Sequence, residues 1–256
     1  MNIGVIGCGS IANTLTNFQL KGKLNVTISY FYDLDKDSAI RLAKKVDGEA
    51  VESISELIEK SDLILESASQ AAVRASIPEV LEGGTDVIIM SVGALMDFDF
   101  KDKLEKLAKE NNATIYLPTG AITGIDAVKA ATMGDIESVS LVTRKPPVSL
   151  DIELEDCDEK ILFEGKASDA VNKFPKNINV SSTLSLASGV DADVTIIADS
   201  KVKNNTHEIH VKGTFGELVT TTSNVSSPDN PKTSMLAAFS AASLLNKLSN
   251  TIQIGS

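Results

Sequence analysis

The sequence predicts an α/β chain in two parts: a doubly wound parallel sheet, then an α+β part on an open-faced mixed sheet, with a C-terminal helix packing back on the first part. Three observations predict it. The apolar run 3–6 leads directly into Gly7-Cys8-Gly9-Ser10-Ile11-Ala12, a G-x-G-x-x-G/A pattern set between a strand and a helix. Short apolar segments then alternate with helical spacing as far as Leu117, the texture of βα units around a sheet buried on both faces. Beyond Pro118-Thr119-Gly120-Ala121-Ile122-Thr123-Gly124-Ile125-Asp126 the strands lengthen and alternate, as they do when only one face of a sheet is covered.

In the glycine turn each residue has a steric task. Gly7 permits the sharp exit from the first strand, Gly9 lets the backbone approach a pyrophosphate without a Cβ in the way, and Ala12 allows the helix to pack closely on the sheet. The helix that opens at Ser10 and Ile11 directs unpaired N–H groups and the positive end of its dipole at the phosphates. This is the Rossmann-type beginning of a dinucleotide site. The second strand spans 24–32 and ends in Asp33, followed by helical spacing over 36–46. An acidic residue about twenty positions past the glycines accepts from the ribose hydroxyls and repels a 2′-phosphate. Asp33 therefore predicts NAD, while Lys36 and Arg41 lie close enough to admit NADP; the structural alternative is an Asp that caps the next helix. A short helix over 53–59, a strand at 62–66, a helix over 70–81, a strand at 86–91, a helix over 101–110 and a strand at 113–117 complete the first part. The tips 66–69, which include Ala68, and 91–94 fall at the strand C-termini, where open α/β sheets hold ligands.

The second part reads as strands at 136–143, 194–198, 207–211 and 217–223, interrupted by helices over 167–173 and 178–188. The final helix, 233–248, is apolar nearly all round and so must be buried against the first part. The expected domains are a dinucleotide-binding domain at 1–117, a substrate-binding and dimerisation domain at 118–230, and the returning helix at 231–256. An open sheet face that is apolar calls for a partner, which predicts a homodimer.

Composition removes several classes of function. A net charge of -11 over 256 residues argues against nucleic acid as a partner, since phosphate binding needs clustered cations in excess. No apolar run reaches the roughly 18 to 20 residues of a membrane span. The N-terminus enters a strand at once, which leaves no room for a signal peptide and predicts a cytoplasmic protein. Cys8 and Cys157 do not form a disulfide framework, and with only His207 and His210 as histidines there is no metal signature.

Candidate chemistry lies in the second part. Histidine is the side chain best suited to proton transfer near neutral pH. In Asn204-Asn205-Thr206-His207-Glu208-Ile209-His210, strand alternation puts His207 with Ile209 on one face and Glu208 with His210 on the other. His207, on the apolar side, is the stronger catalytic candidate, against the alternative that both are ordinary strand residues. Phe174-Pro175-Lys176-Asn177-Ile178-Asn179-Val180 opens a helix, so Asn177 either caps it or donates its amide to a cofactor or substrate carbonyl. Arg144-Lys145-Pro146-Pro147 places two cations at a strand end, suited to a carboxylate or simply solvated. Asn230-Pro231-Lys232-Thr233-Ser234 reads as a helix start where Thr233 and Ser234 bind an anion or cap the helix.

Together G-C-G-S-I-A, P-T-G-A-I-T-G-I-D, T-R-K-P-P, F-P-K-N-I-N-V, N-T-H-E-I and N-P-K-T-S-M resemble the L-aspartate dehydrogenases over the whole chain and in the same order. The resemblance implies NAD(P)-dependent oxidative deamination of L-aspartate to iminosuccinate, then oxaloacetate and ammonia, with the imine also serving NAD biosynthesis. It assigns His207 to the active site, Ala121 and Asn177 to the cofactor, and matches Gly7 and Gly9 to the nucleotide glycines. Lys145, Thr233 and Ser234 are the candidates for holding the substrate carboxylates. Two other readings fit the same frame: a homoserine dehydrogenase-like or dihydrodipicolinate reductase-like enzyme, and a non-catalytic NAD sensor.

Overall fold

The computed structural model describes residues 1–154, 158–174, 178–228 and 230–254. The chain forms two compact units, Met1–Pro118 with Ala238–Ile254, and Thr119–Ala237.

The first unit runs β1 (Asn2–Ile6), α1 (Ser10–Leu20), β2 (Thr27–Tyr32), α2 (Lys36–Lys45), β3 (Glu49–Ala50), α3 (Ile54–Lys60), β4 (Leu63–Glu66), α4 (Gln70–Glu82), β5 (Asp86–Ile89), α5 (Phe98–Glu110) and β6 (Ile115–Tyr116). Its six strands are all parallel in the order β3-β2-β1-β4-β5-β6, so the chain reverses direction across the sheet between β1 and β4, where such folds bind their ligands. The middle strands are short and buried beyond their first residue, and β4 is buried throughout from Leu63 to Glu66. Side chains end the helices cleanly: Asp35, Ser53, Ser69 and Asp97 accept from the first turns of α2, α3, α4 and α5. Asp97 starts α5 three residues before the apolar spacing does.

The second unit holds α6 (Ile125–Ala131), β7 (Ile136–Lys145), β8 (Glu159–Lys166), α7 (Ala167–Lys173), α8 (Asn179–Ser188), β9 (Asp193–Asp199), β10 (Asn205–Gly213), β11 (Gly216–Asn224), β12 (Ser226–Ser227) and β13 (Asn230–Ser234). The sheet order is β11-β10-β7-β9-β8, with β7 and β9 parallel and the other neighbours antiparallel. One face is covered: Val139, Leu141, Ile209 and Val211 of the sheet share a core with Ile125, Val128 and Leu184 of α6 and α8.

Several expectations are corrected. The uncovered face is of mixed polarity rather than apolar; its rows are Thr195–Val142–Glu208–Thr221 and Asp193–Ser140–His210–Val219. Residues 230–234 are not a helix start but β13, paired with β12, and the helix begins at Met235. Strand β8 and helix α6 were not expected. β8 is an edge strand in which Phe163 alone is buried, with an irregularity between Ile161 and Phe163; charged, broken edges resist pairing with other chains but erase the period of two.

The last helix, α9 (Met235–Ser249), belongs to the first unit from Ala238 onward. It buries one stripe, Ala238, Ala241, Ala242 and Leu245. The Phe239 ring lies 5.4 Å from that of Phe18, and the Asn246 amide donates to the Lys23 carbonyl at 2.9 Å while its oxygen accepts from the Asn25 N–H at 2.8 Å. Among the described residues no helix is long and apolar enough to cross a membrane.

Candidate active site

In the first unit a candidate cofactor site begins at the end of β1. Gly7 has φ +92°, and a Cβ there would stand 2.6 Å from that of Ala68, so both the conformation and the close approach exclude a side chain. A Cβ on Gly9 would instead meet nothing within 4 Å: the loop keeps open space on its outer side, the shape a pyrophosphate needs. Alone among the first five helices, α1 starts without a side-chain cap, and its first turn holds no acidic residue. Its N-terminus thus keeps the positive field that an anion requires. The residues present fit a dinucleotide.

Asp33 closes the turn. Its Oδ2 accepts from the Cys8 N–H at 2.6 Å and its Oδ1 from the Asp35 N–H at 2.8 Å. Asp35, not Asp33, caps α2, so the capping alternative for Asp33 fails. The nearby cations are engaged: Lys36 pairs with Glu52, and Arg41 reaches Ser38 at 3.4 Å. Cys8 is buried, and burial followed by the Asp33 charge pushes its thiol up to about 12, which leaves it a packing residue rather than a nucleophile.

Glu66, at the end of β4, opens the tip 66–69 that the sequence places at a ligand crevice, and the structure gives it a bridging role that the sequence does not show. It is fully buried, with Oε1 accepting from Ala68 N at 2.8 Å, Ser69 N at 2.9 Å and Ser91 Oγ at 2.8 Å, and Oε2 from Ser91 N at 3.0 Å. Burial pushes its carboxyl up, against four donors that favour the anion. It holds the two loop tips, one of which places Ala68 against Gly7. The signal was a carboxylate ending the apolar run Leu63-Ile64-Leu65.

The second unit carries a polar end to an apolar sheet face. Along β7 and β10, Val139 pairs with Val211 and Leu141 with Ile209; the next pair is Thr143 with His207. Two residues further along each strand on that face are Lys145 and Asn205. All four polar residues are buried, His207 at 3 % and Asn205 at 0 % exposure. Thr143 Oγ1 lies 3.0 Å from His207 Nδ1, which fixes the ring and leaves Nε2 for other partners. Burial, and then the Lys145 charge, push the imidazole down to about 3, so His207 is neutral at physiological pH. Burial pushes the Lys145 ammonium down to about 8. Arg144, on the opposite face, is taken up by Glu159 and Asp199 at 2.6 and 3.2 Å; of the two expected cations only Lys145 joins His207.

On β11, Thr222 and Asn224 stand opposite His207 and Asn205 and donate to the Ala121 carbonyl at 3.1 and 2.8 Å, which pins the loop carrying Ala121. His210 faces away and contacts Glu208 at 2.6 Å. Thr233 and Ser234 lie in β13, where Ser234 pairs with Ser226. Asn177 lies outside the described residues. Among the described residues no cluster of three or more His, Cys, Asp or Glu could hold a metal ion.

A doubly wound nucleotide-binding unit joined in one chain to an α+β unit with a buried histidine and lysine defines a dinucleotide-dependent oxidoreductase. Residues 7–118 match the NAD-binding domain of homoserine dehydrogenases, and residues 126–248 match the C-terminal domain of aspartate dehydrogenase. The chain is 52 % identical over 255 residues to the L-aspartate dehydrogenase of Methanothermobacter thermautotrophicus, spanning 100 % of this chain and 98 % of that protein. It is 44 % identical over 270 residues to that of Methanosarcina barkeri, spanning 100 % and 99 %. The crystal structure of aspartate dehydrogenase from Thermotoga maritima superposes with a TM-score of 0.78 at 26 % identity, over 100 % of this chain and 99 % of that one. This chain belongs to the aspartate dehydrogenase family.

Proposed function

We propose that the chain is an NAD(P)-dependent L-aspartate dehydrogenase in which His207 handles the proton and Lys145 receives a substrate carboxylate. The observation that carries the reading is the buried cluster of His207, Thr143 and Lys145 within the stretch matched to the aspartate dehydrogenase C-terminal domain. When bound, the dinucleotide supplies the hydride acceptor at its nicotinamide, with Gly7, Gly9, Ser10, Ile11, Asp33, Ala68, Ala121 and Asn177 as the proposed contacts along the whole cofactor.

L-Aspartate gives up a hydride from Cα and two protons from its ammonium nitrogen overall in reaching neutral iminosuccinate, and only a neutral amine has the lone pair that drives the hydride out. A base is therefore needed. In the tautomer whose Nδ1–H donates to Thr143, which is the one the proposal requires, His207 offers its Nε2 lone pair. A pKa near 3 makes a poor base, but that value belongs to the cluster without substrate. A carboxylate beside Lys145 offsets the smaller of the two effects that depress His207, the Lys145 charge, and raises its basicity when aspartate arrives. The same Nε2 then serves to activate the water that converts the imine to oxaloacetate and ammonia.

Asp33 favours NAD, since a 2′-phosphate would meet a carboxylate whose neighbouring cations are engaged. Thr233 and Ser234 remain proposed carboxylate contacts, now as residues of β13. The same reading places the enzyme in NAD biosynthesis, in the cytoplasm, and as a homodimer through the uncovered sheet face. Steady-state kinetics with L-aspartate in one direction and oxaloacetate plus ammonium in the other, each with NAD and NADP, tests the activity. An amino-acid panel separates it from a homoserine dehydrogenase-like enzyme. His207→Ala is expected to lower kcat by about 10²- to 10⁴-fold with KM for NAD little changed; full turnover in that variant would remove His207 from the mechanism.

A further inference from the structure

Asn205 is fully buried, and neither its Oδ1 nor its Nδ2 has a hydrogen-bond partner. Buried polar side chains are almost always satisfied, so a carboxamide orphaned at both ends requires an explanation. Its position supplies one. It stands two residues before His207 on the same face of β10, at the polar end of the sheet that also carries Thr143 and Lys145. On its other flank, Asn224 is spent on the Ala121 carbonyl. Among the described residues no group takes up either polar atom of the Asn205 side chain.

We infer that Asn205 is a substrate-binding residue, which takes the amine and the α-carboxylate of the amino acid together. A carboxamide presents an acceptor and a donor side by side. An α-amino acid presents the complement from one carbon: an N–H donor and a carboxylate acceptor. Oδ1 accepts from the amine, Nδ2 donates to the α-carboxylate, and the amine is thereby held close to the His207 face with its lone pair free. Iminosuccinate keeps an N–H and so keeps both bonds. Oxaloacetate has no donor there and leaves Oδ1 unpaired, so the residue favours the nitrogen-bearing species over the hydrolysed product.

The inference rests on the reading of the His207 cluster as the substrate site, and the test separates the two. Asn205→Leu replaces the amide with an apolar group of similar volume; Asn205→Ala serves if leucine does not fit. In the variant, kcat/KM for L-aspartate is expected to fall about 10- to 100-fold, with KM for NAD within about twofold of the parent. Inhibition by succinate, which has both carboxylates but no amine, weakens less than aspartate binding does. Thermal stability stays level or rises, because an unsatisfied buried amide has been removed. An unchanged kcat/KM, a change in KM for NAD in its place, or equal losses for succinate and aspartate would overturn the assignment. Loss of turnover in His207→Ala with normal aspartate kinetics in the Asn205 variants would sink the Asn205 inference alone. Full turnover in His207→Ala would sink the site reading beneath it.

Discussion

Lys145 shows how far a residue's chemistry depends on where the fold leaves it. In the sequence it is one of two adjacent cations at a strand end, and nothing distinguishes it from Arg144. The strand alternation does: Arg144 turns to Glu159 and Asp199, while Lys145 goes under the sheet beside His207. Its ammonium falls from 10.5 to about 8 because it is buried. In the unfolded chain it holds its proton up to its ordinary pKa, so between pH 8 and 10.5 the unfolded state binds more protons and stability rises with pH. Below about pH 8 the full cost of the buried charge is present, about 3 kcal/mol. Lys145→Met is therefore expected to unfold several degrees higher than the parent at pH 7 while losing aspartate turnover, with the gap in Tm closing by about pH 10.5. Thermal melts across that range check it, and a lower Tm at pH 7 would show the ammonium to be stabilised rather than strained. His207 was legible because the chain has only two histidines and alternation assigned them opposite faces. Asn205 was not, since an asparagine in a polar run carries no mark of burial.

At the scale of elements, the parts that sequence reveals are those whose stability is written locally. The glycine turn, the capped helices and the apolar strands of the first unit depend on residues within a few positions of each other, and they appear where their patterns put them. Strand β8 depends on its partner β9 across the sheet, and β13 on β12; neither has a period or a cap of its own, so the sequence does not mark the first and residues 230–234 read as a helix start. Glu66 belongs to the same class, because its purpose is visible only when the ends of β4 and β5 lie side by side. Glu66→Gln keeps an acceptor for Ala68, Ser69 and the Ser91 hydroxyl but turns an amide N–H toward the Ser91 N–H, two donors facing in a buried place. The cost is about 1–3 kcal/mol. A lower melting temperature and a severalfold higher KM for NAD are expected, the second because Ala68 no longer seats against Gly7. Unchanged NAD kinetics in a destabilised variant would limit Glu66 to a folding role.

For the whole molecule, the proposed function divides the chemistry between the two units: one would grip the dinucleotide, and the other carries the residues proposed to handle the substrate. The charge balance and the lack of a long apolar run can be read from the sequence alone, but assembly is a property of surfaces that only the fold defines. The second sheet turns its covered face to α6 and α8, and its other face, with Val142 and Val219 between Glu208, His210 and rows of Thr and Ser, lies outside that core. Such a face matches a non-obligate interface in polarity more closely than it matches a hydrophobic core. An isologous contact would lay the same rows against each other about a twofold axis. The wild-type protein is expected to sediment at twice the chain mass. Val142→Lys with Val219→Lys places two buried cations in that contact on each side, and the double variant is expected to sediment at the chain mass with its Tm measured on the same sample to establish that each copy remains folded. A folded double variant that stays at twice the chain mass would move the interface elsewhere, and a wild-type protein at the chain mass would show that the mixed polarity of this face is enough to keep it in water.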